Sequence, residues 1–145
     1  MIVPRIKVVM RWLGVLPGSI AAAWGAWIAV NWGVRLSMQS AGIDSEWIFT
    51  RLGIEWVSNY AMGVALILGG AKIAPTHRKL TAYWLAAFGV LAAGAMLYAN
   101  VLRSEGWGSL GSLALAAGSA VTAYRVSEGE VDVANLFSRP PAPRT

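Results

Sequence analysis

The sequence predicts an all-α integral membrane protein: a bundle of four membrane-crossing helices with both chain ends on the cytoplasmic side. Three observations carry that expectation. Of the 145 residues, 57% are hydrophobic and 13% charged, whereas soluble globular chains average about 45–50% and about 25%. The apolar residues gather into four segments, each close to the roughly 20 residues a helix needs to cross a hydrocarbon core of about 30 Å. The basic residues stand at the ends of those segments and alternate in number from one side to the other, as membrane topology signals do. A soluble domain of about this length buries only about 70% of its unfolded surface, so the apolar excess calls for lipid as a second solvent.

The first segment, about residues 12–36, reads WLGVLPGSIAAAWGAWIAVNWGVRL. Its basic lead and its small residues resemble a signal peptide, but the apolar run continues well past any cleavage point, which predicts a retained span. It is long enough to tilt, and Pro17 with Gly18 marks a place for a kink near its start. The second span is about 56–74 and the third about 80–102. The fourth, about 107–124, is short and diluted by glycine and serine. Residues 1–125 thus make a transmembrane domain. Residues 126–145 make a polar tail that ends in SRPPAPRT, a composition for extended or disordered chain. Within that tail Val131, Val133, Leu136 and Phe137 leave two readings open, a short docking segment or no ordered structure.

Between the first two spans lies SMQSAGIDSEWIFTRLGIEW. Asp44 or Ser45 suits a helix N-cap, and Trp47, Ile48, Leu52 and Trp56 share one apolar face at helical spacing. Two readings stand: a short interfacial helix lying on the outer leaflet, or the early first turns of the second span. Between the second and third spans, Pro75 interrupts the helical pattern through its missing donor and its effect on Ala74. Thr76 suits the cap of the next helix.

Orientation follows from the twelve basic residues. Arg5, Lys7, Arg11, Lys72, Arg78, Lys79, Arg125, Arg139 and Arg144 fall on one side of the four-span layout, and Arg35, Arg51 and Arg103 on the other. The nine-to-three bias places the first group in the cytoplasm. Asp44, Glu46, Glu55 and Glu105 fall on the outer side. Trp12 and Trp84 sit near inner boundaries, and Trp32, Trp56 and Trp107 near outer ones, the depth that amphipathic rings prefer. Trp24 and Trp27 are mid-span.

Each span carries small residues at four-residue spacing: Ala21, Gly25, Ala29 and Gly33 in the first, Ala61, Ala65 and Gly69 in the second, Gly89 and Ala93 in the third, Gly108, Ser112, Ala116 and Ala120 in the fourth. Such stripes let helices approach closely in lipid. Packing within the bundle is the expected use, and a homo-oligomer contact is the alternative.

The candidate site is a polar cluster toward the outer ends. Asn31 and Arg35 share a face of the first helix, Glu55 and Asn59 a face of the second, and Asn100 and Arg103 close the third. Amides in membrane helices face protein or water, because lipid offers them no partner. If the faces converge, Arg35 pairs with Glu55 and the asparagines lie beneath. The cluster is then either a clamp between helices or a small vestibule. At the inner side, Lys72, His77, Arg78 and Lys79 form a basic loop suited to anionic headgroups.

Other chemistries find little footing. There is no cysteine and only one histidine, so thiolate chemistry and sites needing two histidines in one chain are excluded. No phosphate loop, dinucleotide fingerprint or zinc-protease motif is present. No acidic residue lies at mid-span, where proton-coupled transporters place one. Basic residues are not interleaved with aromatics outside apolar runs, so nucleic acid is not an expected partner.

The stretches WLGVLPGSIAAAW and GGAKIAPTHRKLTAYWLAAFGVLAAG resemble a loose group of small four-span bacterial inner-membrane proteins. Leu16, Pro17 and Gly18 match that group's opening. Ala74, Pro75, His77, Arg78 and Lys79 match its AP-x-H-(K/R)-K inner loop. The resemblance covers about half the chain. It implies residence in a bacterial inner membrane and four spans, and it brings no substrate and no site residue. The expectation is a non-enzymatic, multi-pass accessory, assembly or interaction component without a cofactor. Its partners would be the bilayer and a second copy or another membrane protein. The alternative is a small oligomeric transporter or channel that uses the outer cluster.

Overall fold

A computed structural model describes residues 3–42, 48–74, 77–131 and 133. They form four α-helices, α1 (Val3–Ser40), α2 (Ile48–Ile73), α3 (Arg78–Leu102) and α4 (Gly106–Glu128). Three are long and apolar enough to cross a membrane, over Val9–Ser40, Thr50–Ile73 and Arg78–Leu102. At 23 residues, α4 reaches about 34 Å, long enough to cross. Its glycines and hydroxyl side chains leave it less apolar than the others.

The helices outrun the apolar segments where nothing breaks them. α1 begins at Val3 rather than near Trp12, because Arg and Lys are good helix formers and merely end the apolar run. α2 begins at Ile48 and continues unbroken to Ile73. The separate interfacial helix is therefore corrected: Leu52 and Trp56 belong to the first turns of α2. Gly53 is the sole weak helix former there, and one glycine costs too little to divide a helix. Asp44, Ser45 and Trp47 lie outside the described residues.

α2 ends at Ile73, and Ala74 donates its amide to the Gly70 carbonyl at 3.0 Å. The cap position before α3 is His77, in the left-handed region at φ 52, ψ 41, with no side-chain cap bond. Histidine is among the side chains that enter that region more readily than most. Thr81 secures the turn, its amide donating to the His77 carbonyl at 3.0 Å and its hydroxyl to the same oxygen at 3.3 Å. Thr76 lies outside the described residues. α4 ends on Gly129 at φ 82, with the Glu130 amide donating to the Arg125 carbonyl at 3.1 Å. That is a glycine C-terminal cap.

Consecutive helices run antiparallel, so α2 and α4 are parallel. α2 packs against all three others, α3 against α2 and α4, and α1 against α2 alone. The tightest crossing joins α2 to α4. A Cβ built on Gly63 would lie 2.6 Å from the Leu115 carbonyl oxygen, and one built on Gly118 would lie 2.4 Å from the Tyr60 carbonyl oxygen. The two backbones touch there with no room for a methyl group. α3 meets α4 at Gly89, which faces Ser119. α1 meets α2 where Gly18 faces Ile73 and where Ser19 and Ala22 face Gly69 and Gly70. At the His77 end, hereafter the basic end, Val15, Ile67, Ala71, Leu85, Ala123 and Val126 form a buried cluster, and Val133 closes it from beyond α4. The docking expected of the tail is thus seen at Val133, with Val131 packed beside it. Leu136, Phe137 and the proline-rich end lie outside the described residues.

The small-residue ladders divide. Gly69, Gly89 and Gly108 sit against neighbouring helices, but Ala21, Gly25, Ala29 and Gly33 are exposed, and nothing lies within 4 Å of a Cβ at Gly25 or Gly33. For α1 the expectation of packing within the bundle is corrected. A second stripe on the same helix, Val15, Ser19, Ala23 and Asn31, is the buried one. Both stripes are narrow, and among the described helices α1 has only α2 to cover them.

Candidate functional site: a polar recess above an apolar cleft

The polar side chains gather at the end of the bundle opposite His77. Asn59 projects from α2 and Asn100 from α3, and both rest on the first turns of α4. Glycine makes this seating possible. A Cβ on Gly111 would lie 2.9 Å from the Asn59 Nδ2, and one on Gly108 would lie 2.8 Å from the Asn100 side-chain amide. Asn59 donates through Nδ2 to the Glu55 carbonyl at 2.8 Å. Asn100 donates through Nδ2 to the Ser112 hydroxyl at 3.3 Å, and that hydroxyl donates to the Gly108 carbonyl at 3.0 Å. Glu55 faces Arg51, one turn earlier on its own helix, at 3.4 Å.

These groups line a recess of about 330 Å³ with Trp24 and Trp27 of α1, Met62 of α2 and Met96 of α3. Beneath it lies a narrower apolar space of about 180 Å³, bounded by Ile20 and Ala23 of α1, Leu66 of α2, Phe88 and Ala92 of α3, and Leu115 of α4. A third space, about 490 Å³, follows at the basic end between Trp12, Val15 and Leu16 of α1 and Leu80, Trp84 and Leu85 of α3. Met62 borders the first two spaces and Phe88 the last two. All three are bordered by α1 and α3, which both pack on α2 and not on each other. Among the described residues, Ser58 Oγ and Ser119 Oγ are buried in the bundle interior and make no hydrogen bond.

The structure brings together Glu55, Asn59 and Asn100 and separates the rest of the expected cluster. Asn31 is buried at 8% exposure and accepts from Arg35 Nε at 2.9 Å, a pair within α1 that does not border the recess. The expected Arg35–Glu55 pair is replaced by Arg51–Glu55. Arg103 caps α3 and is exposed. Lys72, His77, Arg78 and Lys79 are exposed at the opposite end. Sequence reasoning missed Ser112, Trp24 and Trp27 as lining residues. A usable signal was the Gly108–Gly111 spacing, which leaves gaps on α4 that a neighbour's polar side chain can fill.

Chemically the recess offers one carboxylate, two amides and a hydroxyl. Among the described residues no three His, Asp or Glu side chains gather as a metal would require. Fold and recess together define an α-helical membrane protein with a polar recess at the end of the bundle opposite His77. No protein-family model, curated protein or solved structure matches the chain.

Proposed function

We propose that this is a four-span inner-membrane protein with both ends cytoplasmic, serving as a non-enzymatic interaction component that engages a second membrane helix. The observation that carries this reading is the outward ladder of α1: Ala21, Gly25, Ala29 and Gly33 stand exposed beside Trp24, Ile28 and Trp32. In lipid a helix gains little from hydrophobic contact, so aligned small residues favour association by letting another backbone approach. The alternative of a transport path is disfavoured, because the polar recess gives way below Asn59 and Asn100 to walls without a polar group. The orientation rests on the nine-to-three division of basic residues.

Two experiments test the reading. Extraction from native membranes in mild detergent is expected to recover a stoichiometric membrane partner. Gly25→Leu with Gly33→Leu should abolish that recovery while leaving the melting temperature of the purified chain unchanged, since both positions face open space. A chain that purifies alone and supports solute flux in proteoliposomes would overturn the proposal. For topology, reporters fused after Arg125 and within residues 37–50 should report opposite sides of the membrane, and a shared side would remove the four-span layout.

A further inference from the structure

The chain reverses where α4 stops, and the reversal carries it back onto the helices. Gly129 takes φ 82, a left-handed conformation that glycine adopts without steric cost. Its amide donates to the Val126 carbonyl at 3.3 Å. Further along, Val133 is only 5% exposed. It belongs to one buried cluster with Val15 of α1, Ala71 of α2, Ala82 of α3 and Ala123 of α4, and with Ala74 just past the end of α2. All four helices contribute to that cluster, and alanine supplies much of it. Side chains that small leave room at the basic end for one branched side chain arriving from outside the helices.

We infer that Gly129 and Val133 form a latch, in which Val133 fastens the tail to the basic end of the bundle and Gly129 is the hinge on which it opens while the helices stay folded. Magnitudes decide between a latch and an ordinary piece of core. Burying one valine favours the docked state by roughly ten- to hundredfold. Little else adds to it. Val131 is only partly buried. Arg125 and Glu130 approach to 3.9 Å, but their side chains are 62% and 60% exposed, and exposed pairs contribute little. Among the described residues, no hydrogen bond joins Val131 or Val133 to the helices. A folded domain, by contrast, is favoured over its unfolded chain by about a thousandfold or more. Local opening therefore comes well before unfolding, as it does in segments with few buried contacts. Opening moves the point where the tail leaves the bundle from Val133 back to Gly129. Four more residues lengthen its reach by about 14 Å. The latch thus sets how far the end of the chain, with Arg139 and Arg144 around its prolines, extends from the helices. It rests on contacts within the chain and not on the partner proposed for the outer face of α1.

The chain has no cysteine, so an introduced one is a unique reporter. Ala74→Cys places a thiol in the cluster that Val133 joins, at a position 1% exposed. Ser119→Cys places one within the bundle, at a position 0% exposed. The rate of reaction of the purified full chain with a water-soluble maleimide reads the opening. With Val133 in place, Ala74→Cys is expected to react slowly, yet at least about tenfold faster than Ser119→Cys, because its protection is local. Adding Val133→Asp should speed the Ala74→Cys reaction by about tenfold or more and leave Ser119→Cys protected. Val133→Ile should keep the slow rate. Equal rates for Ala74→Cys with and without Val133→Asp would overturn the inference, as would Ala74→Cys reacting no faster than Ser119→Cys. So would a Val133→Asp protein in which Ser119→Cys also becomes reactive, since Val133 would then belong to the global fold and not to a latch.

Discussion

Replacing Gly118 by alanine is expected to loosen the whole bundle. The added methyl group would lie 2.4 Å from the Tyr60 carbonyl oxygen and 3.2 Å from its carbon, and both are backbone atoms that cannot swing aside. α2 and α4 would have to separate along their length. Overpacking typically costs about 1–3 kcal/mol, and the rigidity of both sides places this substitution near the upper limit. A lowered melting temperature in detergent is the measurement, and Gly63→Ala should behave alike because its contacts, at 2.6 and 2.8 Å, are also backbone. Gly94→Ala is the control, since nothing lies within 4 Å of its Cβ position. Melting of the Gly118 variant together with the control would show that the two backbones do not meet there.

The second large effect is expected at the recess. Gly111→Ala drives a methyl group to 2.9 Å from the Asn59 amide nitrogen. Unlike the central crossing, the obstacle here is a side chain whose loss can relieve the clash. Gly111→Ala alone should therefore destabilise by about 1–2 kcal/mol, and Asn59→Ala alone by about 1 kcal/mol through its lost hydrogen bond. The double variant should be more stable than the sum of the two predicts, with a coupling of about 1 kcal/mol, within the range seen for residues in contact. Denaturant unfolding of all four proteins measures it. Strict additivity would mean that Asn59 does not rest on Gly111.

Parts of this architecture were legible in the sequence for identifiable reasons. The limits of α3, Arg78–Leu102, agree closely with the apolar run of 80–102. It is flanked by Pro75 on one side and by Ser104, held at φ 58, on the other. α1 was under-read at both ends, because hydropathy falls wherever charges begin, whereas a helix stops only where backbone geometry or a breaker stops it. The asparagines of the recess stood out because an amide in a membrane segment needs a partner. Their partners were another matter. Arg35 and Arg51 are equally basic and fall on the same side of the four-span layout as Glu55, and the choice between them depends on helix rotation, which spacing alone does not encode. The two small-residue stripes of α1 posed the same difficulty. Ala21–Gly25–Ala29–Gly33 is the more regular ladder, yet the less regular stripe containing Ser19 and Ala23 is the buried one.

The length of α1 has a consequence for the bilayer around it. Its 38 residues span about 57 Å. Even at a tilt of about 40°, the upper end of what membrane helices adopt, a hydrocarbon slab of about 30 Å accommodates only about 26 of them. Roughly three turns must therefore stand clear of the hydrocarbon, and the first turns contain Arg5, Lys7 and Arg11. Because α1 is held against α2 at Gly18, Ser19 and Ala22, that surplus is fixed to the bundle: α1 carries a positively charged extension beyond the hydrocarbon whatever the membrane's thickness.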